Sequence, residues 1–197
     1  MRIIVVRHGE TVDNVKKITM GHGPGKLTKL GLTQVQELAK ILRKEKLDFI
    51  YCSDLKRCKD TLKQISKYHQ HVPVIFTKEL RERKWGMFDG RPNLERQEAL
   101  AQYKGSILNF KPKGAESLIE LRKRILIFLK YIKKNHRNSR LLLVTSAGVL
   151  RTIHTILTKT SLVSSFPKFI FHNTAISEYE ITDSKVKVYR FNETKHL

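Results

Sequence analysis

The sequence predicts an α/β domain in which helices cover both faces of a mostly parallel sheet, a three-layer α/β/α sandwich. Short apolar or β-branched runs alternate with segments whose apolar residues recur at helical spacing. Two of these runs, residues 2–6 and 141–145, are almost wholly apolar and end at turns of small residues, as buried parallel strands do. A length of 197 residues with 40% hydrophobic content suffices for one sizeable core, so residues 1–197 are predicted to form a single domain.

The first half of the chain alternates between predicted strands and helices. The strands are expected at residues 2–6, 48–52 and 72–76, and the helices at residues 28–47 and 55–68. Thr28 is a plausible N-cap for the first helix, and Ser53 and Asp54 are expected to cap the second. Residues 79–93 show no clear period and predict a loop.

The second half repeats this alternation after a break rich in lysine, proline and glycine at residues 111–114. Helices are expected at residues 94–103, 116–135 and about 147–157, and strands at residues 141–145, 175–181 and 185–191. The last two strands are expected to pair across the turn at residues 182–184. Residues 83–113 are expected to form a cap that selects the substrate.

The charge and the cysteine content limit which partners and which cellular compartment are expected. Thirty-nine Lys and Arg against eighteen Asp and Glu give a formal net charge of +21, which favours anionic partners in general. The basic residues are scattered and form no long tail, so most are expected to be solvated, and non-specific polyanion binding is a secondary expectation. Short apolar runs, two cysteines and no signal-peptide pattern predict a soluble cytoplasmic protein that does not bind membranes.

Two predicted strands deliver polar groups to turns at their carboxyl ends. His8 and Gly9 follow the first strand, and residues 146–148, Ser-Ala-Gly, follow the strand at residues 141–145. Open α/β sheets bind ligands at the carboxyl ends of their strands, so the two turns are expected to form one site if the strands are adjacent. The second turn also opens a helix, whose free backbone amides favour a phosphate.

With these turns in place, the sequence resembles the histidine phosphatase superfamily, also called the phosphoglycerate-mutase-like family. Residues 7–11, Arg-His-Gly-Glu-Thr, together with Asn14 match the segment that carries the family's nucleophilic histidine. Further matches follow in order along nearly the whole chain: Gly21-His22; Leu27-Thr28 with Gly31 and Gln34; Ser53-Asp54-Leu55 with Arg57 and Thr61; Leu80-Arg81-Glu82-Arg83 with Gly86 and Gly90; Gly114-Ala115-Glu116-Ser117; residues 145–151; and Asn173. Residues 80–90 and 114–117 are most similar to the fructose-2,6-bisphosphatase-like and broad-specificity phosphatase branches.

The resemblance implies a role for each residue of the expected site. His8 would attack phosphorus and form a phosphohistidine, while a backbone acceptor on its other ring nitrogen would fix the tautomer. Arg7 and Arg57 would bind the phosphoryl oxygens, and Asn14 would add a neutral donor. Glu82 matches the family's general acid, which protonates the leaving oxygen and later activates water.

Four further residues are expected to contact the substrate or its phosphate: Gly21, His22, Ser146 and Ala147. For His22, a substrate contact and a purely structural role in its turn are equally expected. The spacing of His8 and His22 and the pattern of acidic residues offer no metal cage, so no metal and no cofactor are predicted.

Ser146 departs from the family pattern, in which most members carry a second histidine at this position. That histidine is expected to carry a positive charge and to donate a hydrogen bond to a phosphoryl oxygen. A hydrogen bond to a charged group contributes about 1.5–3 kcal/mol, against about 0.5–1.5 for a neutral one, so a weakened enzyme is expected rather than an inactive one. His22 is a candidate replacement donor, whereas His154 lies about two helical turns beyond Ser146.

The leading hypothesis is a metal-independent phosphatase that hydrolyses a small phosphorylated metabolite through His8. One alternative is a pseudophosphatase that binds a phosphorylated ligand or nucleic acid, which Ser146 and the net charge motivate and the retention of His8 and Glu82 disfavours. A phosphoglycerate mutase is a second alternative, which the compact chain disfavours. The oligomeric state stays open, with a dimer as one candidate. Four basic residues near the cap would suit a substrate with a second phosphate, or are simply solvated: Arg81, Arg83, Lys84 and Arg91.

Overall fold

The computed structural model describes the backbone of residues 1–197 and every side chain except those of residues 166–168. Its strands are β1 (Arg2–Arg7), β2 (Phe49–Ser53), β3 (Val74–Thr77), β4 (Arg140–Thr145), β5 (Ile176–Ile181) and β6 (Val186–Glu193). Its α-helices are α1 (Val12–Val15), α2 (Lys29–Leu42), α3 (Lys56–Ile65), α4 (Asn93–Gln102), α5 (Leu118–Asn135), α6 (Ala147–Leu157) and α7 (Leu162–Lys168). The short helices α1 and α7 have no counterpart among the predicted elements.

The strands form one six-stranded sheet in the order β3-β2-β4-β1-β5-β6. The neighbours β3, β2, β4 and β1 run parallel, with Val5 of β1 opposite Leu143 of β4. β5 pairs antiparallel with β1, and β6 pairs antiparallel with β5 across the turn predicted at residues 182–184. The mostly parallel sheet is therefore confirmed, and its antiparallel part is confined to one edge.

Alternate residues of the central strands supply two separate apolar cores. Ile3 and Val5 of β1 pack into a cluster with α5 and α6 on one face of the sheet. Ile4 and Val6 pack into a cluster with α2 and α3 on the other face. Because both faces are covered, β1 and β4 are apolar through their centres, and the predicted three-layer α/β/α arrangement is confirmed.

Capping side chains set where some of the helices begin. The Thr28 hydroxyl accepts a hydrogen bond from the amide of Gly31 at the start of α2, as predicted. The prediction that Ser53 and Asp54 cap the next helix is wrong, because Leu55 is the N-cap of α3 and forms no side-chain cap. Asp54 instead accepts two hydrogen bonds from Arg81, each of 2.6 Å, since a guanidinium offers a stronger, charge-assisted partner.

The segment predicted to form a cap, residues 83–113, has a small apolar cluster of its own. Trp85, Phe88 and Phe110 are buried together, with Ala99 and Leu100 of α4 packed against them. The loop predicted at residues 79–93 contains a 3₁₀ turn at Gly86–Phe88 and precedes α4, which lies where a helix was predicted. That this segment covers the site and selects the substrate stays a prediction.

Candidate active site

The two turns predicted to share one site are neighbours, because β1 and β4 are adjacent and parallel. Arg7 and Thr145 are opposite each other at the ends of the two strands. The backbone amide of His8 then donates to the carbonyl of Thr145 at 3.0 Å. This register places His8 beside Ser146 at the carboxyl edge of the sheet, where open α/β folds bind ligands.

Hydrogen bonding and burial select one form of the His8 imidazole. Nδ1 lies 2.8 Å from the carbonyl oxygen of Gly9, and a carbonyl only accepts, so Nδ1 carries the proton. Nε2 therefore keeps its lone pair. Burial, followed by the charges of Arg57 and Arg7, lowers the pKa of His8 well below its usual value, so the ring is neutral. A neutral imidazole with a free Nε2 is the form that attacks phosphorus.

The backbone around His8 is held by several polar side chains. The amide group of Asn173 donates to the carbonyl of His8 at 3.0 Å and to Oδ1 of Asn14 at 3.2 Å. Asn14 Oδ1 also accepts from the amide of Thr11, so its Nδ2 group is the part that is able to donate to a ligand. On the other side, the amide of Gly9 donates to Thr61 Oγ1 at 3.1 Å. These contacts fix the position of the His8 ring.

The guanidinium groups of Arg57, which is buried, and of Arg7, which is half-buried, adjoin His8. Arg57 donates from Nη1 to the carbonyl of Gly23 at 2.6 Å and from Nη2 to the carbonyl of Gly21 at 2.9 Å, which holds this turn against the site. Arg7 donates to the carbonyl of Phe171, and burial lowers its pKa to about 10. In each arginine Nε is buried without a hydrogen-bond partner. Among the described residues neither forms an ion pair, so the arrangement favours an anion.

Glu82 is positioned by the first turn of α6. Its Oε2 accepts from the amide of Gly148 at 3.0 Å, and its Oε1 accepts from the amide of Arg83 at 2.8 Å. A Cβ atom at residue 148 would lie 2.2 Å from Oε1, so only glycine leaves room for this carboxylate. The helix amide that was expected to favour a phosphate is therefore occupied by Glu82. Thr145 reinforces the placement by donating to the carbonyl of Leu80 at 2.7 Å.

Of the other residues predicted to contact the substrate, some bind to the backbone around the site and others lie inside it. His22 Nε2 donates to the carbonyl of Glu82 at 2.9 Å, so this ring nitrogen links its turn to the Glu82 segment. Burial lowers the pKa of His22. Ser146 is buried, and its hydroxyl lies 3.4 Å from Nη2 of Arg57. Ala147 is the first residue of α6, and Gly21 contributes its carbonyl to Arg57.

Comparison with known proteins decides the family. The sequence profile of the histidine phosphatase superfamily (branch 1) matches residues 3–194. The chain belongs to this superfamily. It is 33% identical over 201 residues to a metal-independent phosphoserine phosphatase of Arabidopsis thaliana, an alignment covering 99% of this chain and 82% of that protein. It is 36% identical to the fructose-2,6-bisphosphatase TIGAR of Bos taurus over 66% of this chain and 50% of that protein. The resemblance inferred from the motifs is thus confirmed, and the chain is a phosphomonoesterase.

Solved structures confirm the fold of this histidine phosphatase. YhfR of Bacillus stearothermophilus superposes with a TM-score of 0.90 at 23% sequence identity, covering 99% of this chain and 98% of that one. At this identity the likeness establishes the architecture alone. The superposition extends over the whole sheet and its helices, so the phosphoglycerate-mutase-like α/β fold is established.

A cavity beside the site was not predicted from the sequence, although Arg83 on its wall was named as a candidate contact for a second phosphate. A cavity of about 230 Å³ lies beside Glu82, between the predicted cap, α5 and α6, and its lining includes four large side chains: Arg83, Trp85, Arg96 and Arg151. Arg96 and Arg151 belong to different helices, and no motif connects them. Two basic residues named as candidates for a second phosphate are instead in ion pairs, Arg81 with Asp54 and Arg91 with Glu95.

The lowered pKa of His8 predicts the acid limb of the pH–rate profile. A group with a lowered pKa keeps its neutral form as the pH falls through 6.5, so kcat/KM should hold there and decline only at lower pH. Steady-state assays between pH 4 and 8 test this, with two esters of different phosphate pKa to separate the ionisation of substrate from that of His8. A midpoint at or above 6.5 that is common to both esters would contradict a buried neutral His8.

Proposed function

We propose that this phosphatase hydrolyses a small phosphate monoester through a phosphohistidine formed on Nε2 of His8, without a metal ion or cofactor. The observation that carries the proposal is the geometry of His8. Its Nδ1–H is fixed on the Gly9 carbonyl, its Nε2 keeps a lone pair, and the charges of Arg7 and Arg57 act on it. A nucleophile beside two unpaired cations suits attack on a dianionic phosphate.

In the first step, the lone pair of Nε2 attacks phosphorus and the bond from phosphorus to the ester oxygen breaks. The Glu82 carboxyl gives its proton to the leaving oxygen as that bond breaks. Arg7 and Arg57 hold the phosphoryl oxygens and stabilise the charge that spreads over them. The products of this step are the free alcohol, phosphohistidine and the Glu82 carboxylate.

In the second step, the Glu82 carboxylate takes a proton from water as the water oxygen attacks phosphorus. The bond from phosphorus to Nε2 breaks, inorganic phosphate leaves, and His8 and protonated Glu82 are regenerated. Asn14 is proposed to donate to a phosphoryl oxygen from Nδ2, since its Oδ1 already accepts from Thr11 and Asn173. Gly21 and His22 are proposed to shape the site by holding Arg57 and the Glu82 backbone in place.

Ser146 and Ala147 are proposed to lie at the phosphate, because they join the end of β4 to α6 beside His8. The Ser146 hydroxyl is close to Arg57 and offers only a neutral hydrogen bond. The Ser146 hydroxyl therefore stabilises a charge developing on a phosphoryl oxygen less than a histidine at this position would. Reduced activity is part of the proposal.

Replacing Ser146 with histidine should raise kcat, by up to about 10²- to 10³-fold, because it adds a charged donor for the transition state. Release of inorganic phosphate from sugar phosphates, phosphoglycerates and an aryl phosphate, without added metal, measures the gain. Ser146→Ala is the matched control and should lower kcat.

The double variant with His8→Ala should be inactive, which shows that any gain passes through the same nucleophile. Because residue 146 is buried, Ser146→Asn provides a smaller donor, and thermal melting verifies that each variant is folded. If folded Ser146→His and Ser146→Asn are no faster than the parent, Ser146 is not the weak point of the site.

The proposed partner is a small phosphorylated metabolite, and the retention of His8 and Glu82 favours catalysis over a pure binding module. No helix within the described part of the chain is long and apolar enough to cross a membrane. In the same part, no group of three or more His, Cys, Asp or Glu is arranged to hold a metal ion. The cytoplasmic location and the non-specific polyanion binding stay predictions, and the oligomeric state stays open, with a dimer as one candidate.

A further inference from the structure

Apart from Glu82 and Ala147, the cavity beside Glu82 is bounded by side chains that the proposed chemistry at His8 does not use. Arg83 and Trp85 come from the segment before α4, and Arg96 comes from α4 itself. Arg151 of α6 lies on the opposite wall, and Leu118 of α5 provides apolar surface. The cavity therefore combines cationic groups, one indole and an apolar wall.

Arg83 and Arg96 carry positive charge that no carboxylate among the described residues balances by an ion pair, and the charge of Glu82 on the same wall acts on both. Both guanidinium groups lie on the ring of Trp85, at 4.0 and 4.2 Å from its centroid. Arg83 is 2% exposed and donates to the carbonyls of Glu116 and Phe110, which leaves Nη1 buried without a partner. Nε of Arg96 is likewise buried without a partner. Neither arginine is in an ion pair among the side chains that the structure describes.

Uncompensated cations inside a cavity cost free energy, which an entering anion recovers. Burial lowers the pKa of both side chains, to about 10 for Arg83. A guanidinium group stays charged at neutral pH in proteins. Arg83 is held by two backbone carbonyls, whereas Arg96 has no hydrogen bond to the Trp85 segment and stacks on its ring. Arg96 is thus the cation best able to turn its planar fork toward a carboxylate or phosphate.

The position of the cavity assigns it to one part of the substrate. Glu82 lies on its wall, and the general acid must touch the oxygen that leaves with the alcohol. The leaving group therefore extends from Glu82 into the cavity. At about 230 Å³ the space is below the usual range for drug-sized ligands, which limits the leaving group to a few carbon atoms.

We propose that this cavity selects phosphate esters whose leaving group carries a second anionic group, a carboxylate or a phosphate, and that Arg96 is the specificity-determining residue. The inference rests on the proposed function, because it takes Glu82 to mark the leaving oxygen. Arg96 is positioned by stacking on the ring of Trp85 and by the charge of the neighbouring Arg83. The phosphoryl group that is cleaved stays at His8.

Pairs of esters that differ in one anionic group test the selection. Glycerate 3-phosphate against glycerol 3-phosphate is the carboxylate arm, and propane-1,3-diol bisphosphate against propane-1,3-diol monophosphate is the phosphate arm. We expect kcat/KM of the intact protein to favour the doubly anionic member of at least one pair by about 10- to 100-fold, the value of one charge-assisted hydrogen bond. The arm that shows the preference identifies which anion is selected.

Arg96→Gln should reduce that ratio to near one, chiefly through KM, and Arg96→Lys should restore part of it. Lys104→Gln is the matched control, because Lys104 is an exposed cation of the same segment and its loss should leave the ratio unchanged. Glycerate, used as an inhibitor of aryl phosphate hydrolysis, should bind more weakly to Arg96→Gln than to the parent.

Three results would overturn the inference. If the ratio of kcat/KM is near one in both arms while the aryl phosphate is still hydrolysed, the cavity does not select a second anionic group. The proposed function is then unaffected. An equal loss with both members of a pair in Arg96→Gln would show that Arg96 supports the fold and not the choice of substrate. Absence of phosphate release from every ester would overturn the proposed function and this inference with it.

Discussion

Replacing His8 with alanine is expected to lower kcat for phosphate release by at least about 10⁴-fold, because the loss of a covalent nucleophile removes the reaction path itself. Two nearby groups among the described side chains are candidates to substitute, and neither is suited to it. His22 has its Nε2 engaged by the Glu82 carbonyl, and Cys58, which lies near Ser146, is buried with a pKa raised to about 11. Both are therefore poor nucleophiles at neutral pH. Release of inorganic phosphate from an aryl phosphate measures the loss.

A labelling experiment separates chemistry from folding. The parent, mixed with a substrate labelled in the phosphoryl group and quenched in alkali, should retain acid-labile label, whereas His8→Ala should retain none. His8→Asn keeps a donor for the Gly9 carbonyl and much of the side-chain volume, so it preserves the local hydrogen bond without a nucleophile. His172→Ala removes an exposed histidine and is the control. Activity within tenfold of the parent in folded His8→Asn would rule out the phosphohistidine.

Sequence reasoning succeeded where the determining interactions are local or periodic. The apolar runs of β1 and β4 and the stripe of α5 are fixed by burial, so their spacing predicts them directly. The same patterns place His8 and residue 146 at the carboxyl ends of two buried strands, and the structure shows that these strands are adjacent. The position of the proton on Nδ1 of His8 needs only its neighbour, Gly9, whereas the neutrality of the ring depends on burial and on Arg57 and Arg7.

Interactions between segments that are distant along the chain could not be predicted from the sequence. Ser53 and Asp54 have the chemistry of helix caps, yet Asp54 binds Arg81, 27 residues further along the chain. Glu82 occupies the Gly148 amide, 66 residues away, that helix geometry alone would offer to a phosphate. The cavity around Arg96 requires α4, α5 and α6 to meet, and no periodicity records which polar side chains meet across such a junction.

Replacing Glu82 with glutamine is expected to slow hydrolysis of alkyl phosphates by about 10²- to 10⁴-fold, the usual contribution of a general acid and base. Glutamine keeps the shape that fits beside Gly148 but has no proton of suitable acidity to give, and it cannot activate water. The size of the loss should depend on the ester, because an alkoxide needs a proton to leave and a nitrophenolate needs little help. Comparison of kcat for an alkyl phosphate and for p-nitrophenyl phosphate measures this dependence.

The two steps of the proposed mechanism should also separate in this variant. With p-nitrophenyl phosphate, His8 of Glu82→Gln is phosphorylated readily. Hydrolysis of the phosphohistidine is slow, because no base activates the attacking water. Rapid mixing should therefore show a burst of nitrophenol close to the enzyme concentration, followed by slow turnover and accumulated acid-labile phosphate on the protein. Glu79→Gln, a nearby carboxylate outside the site, should show neither. If Glu82→Gln turns over both esters like the parent, the acid and base lie elsewhere, and the carboxylate on the Gly148 amide only holds the start of α6 in place.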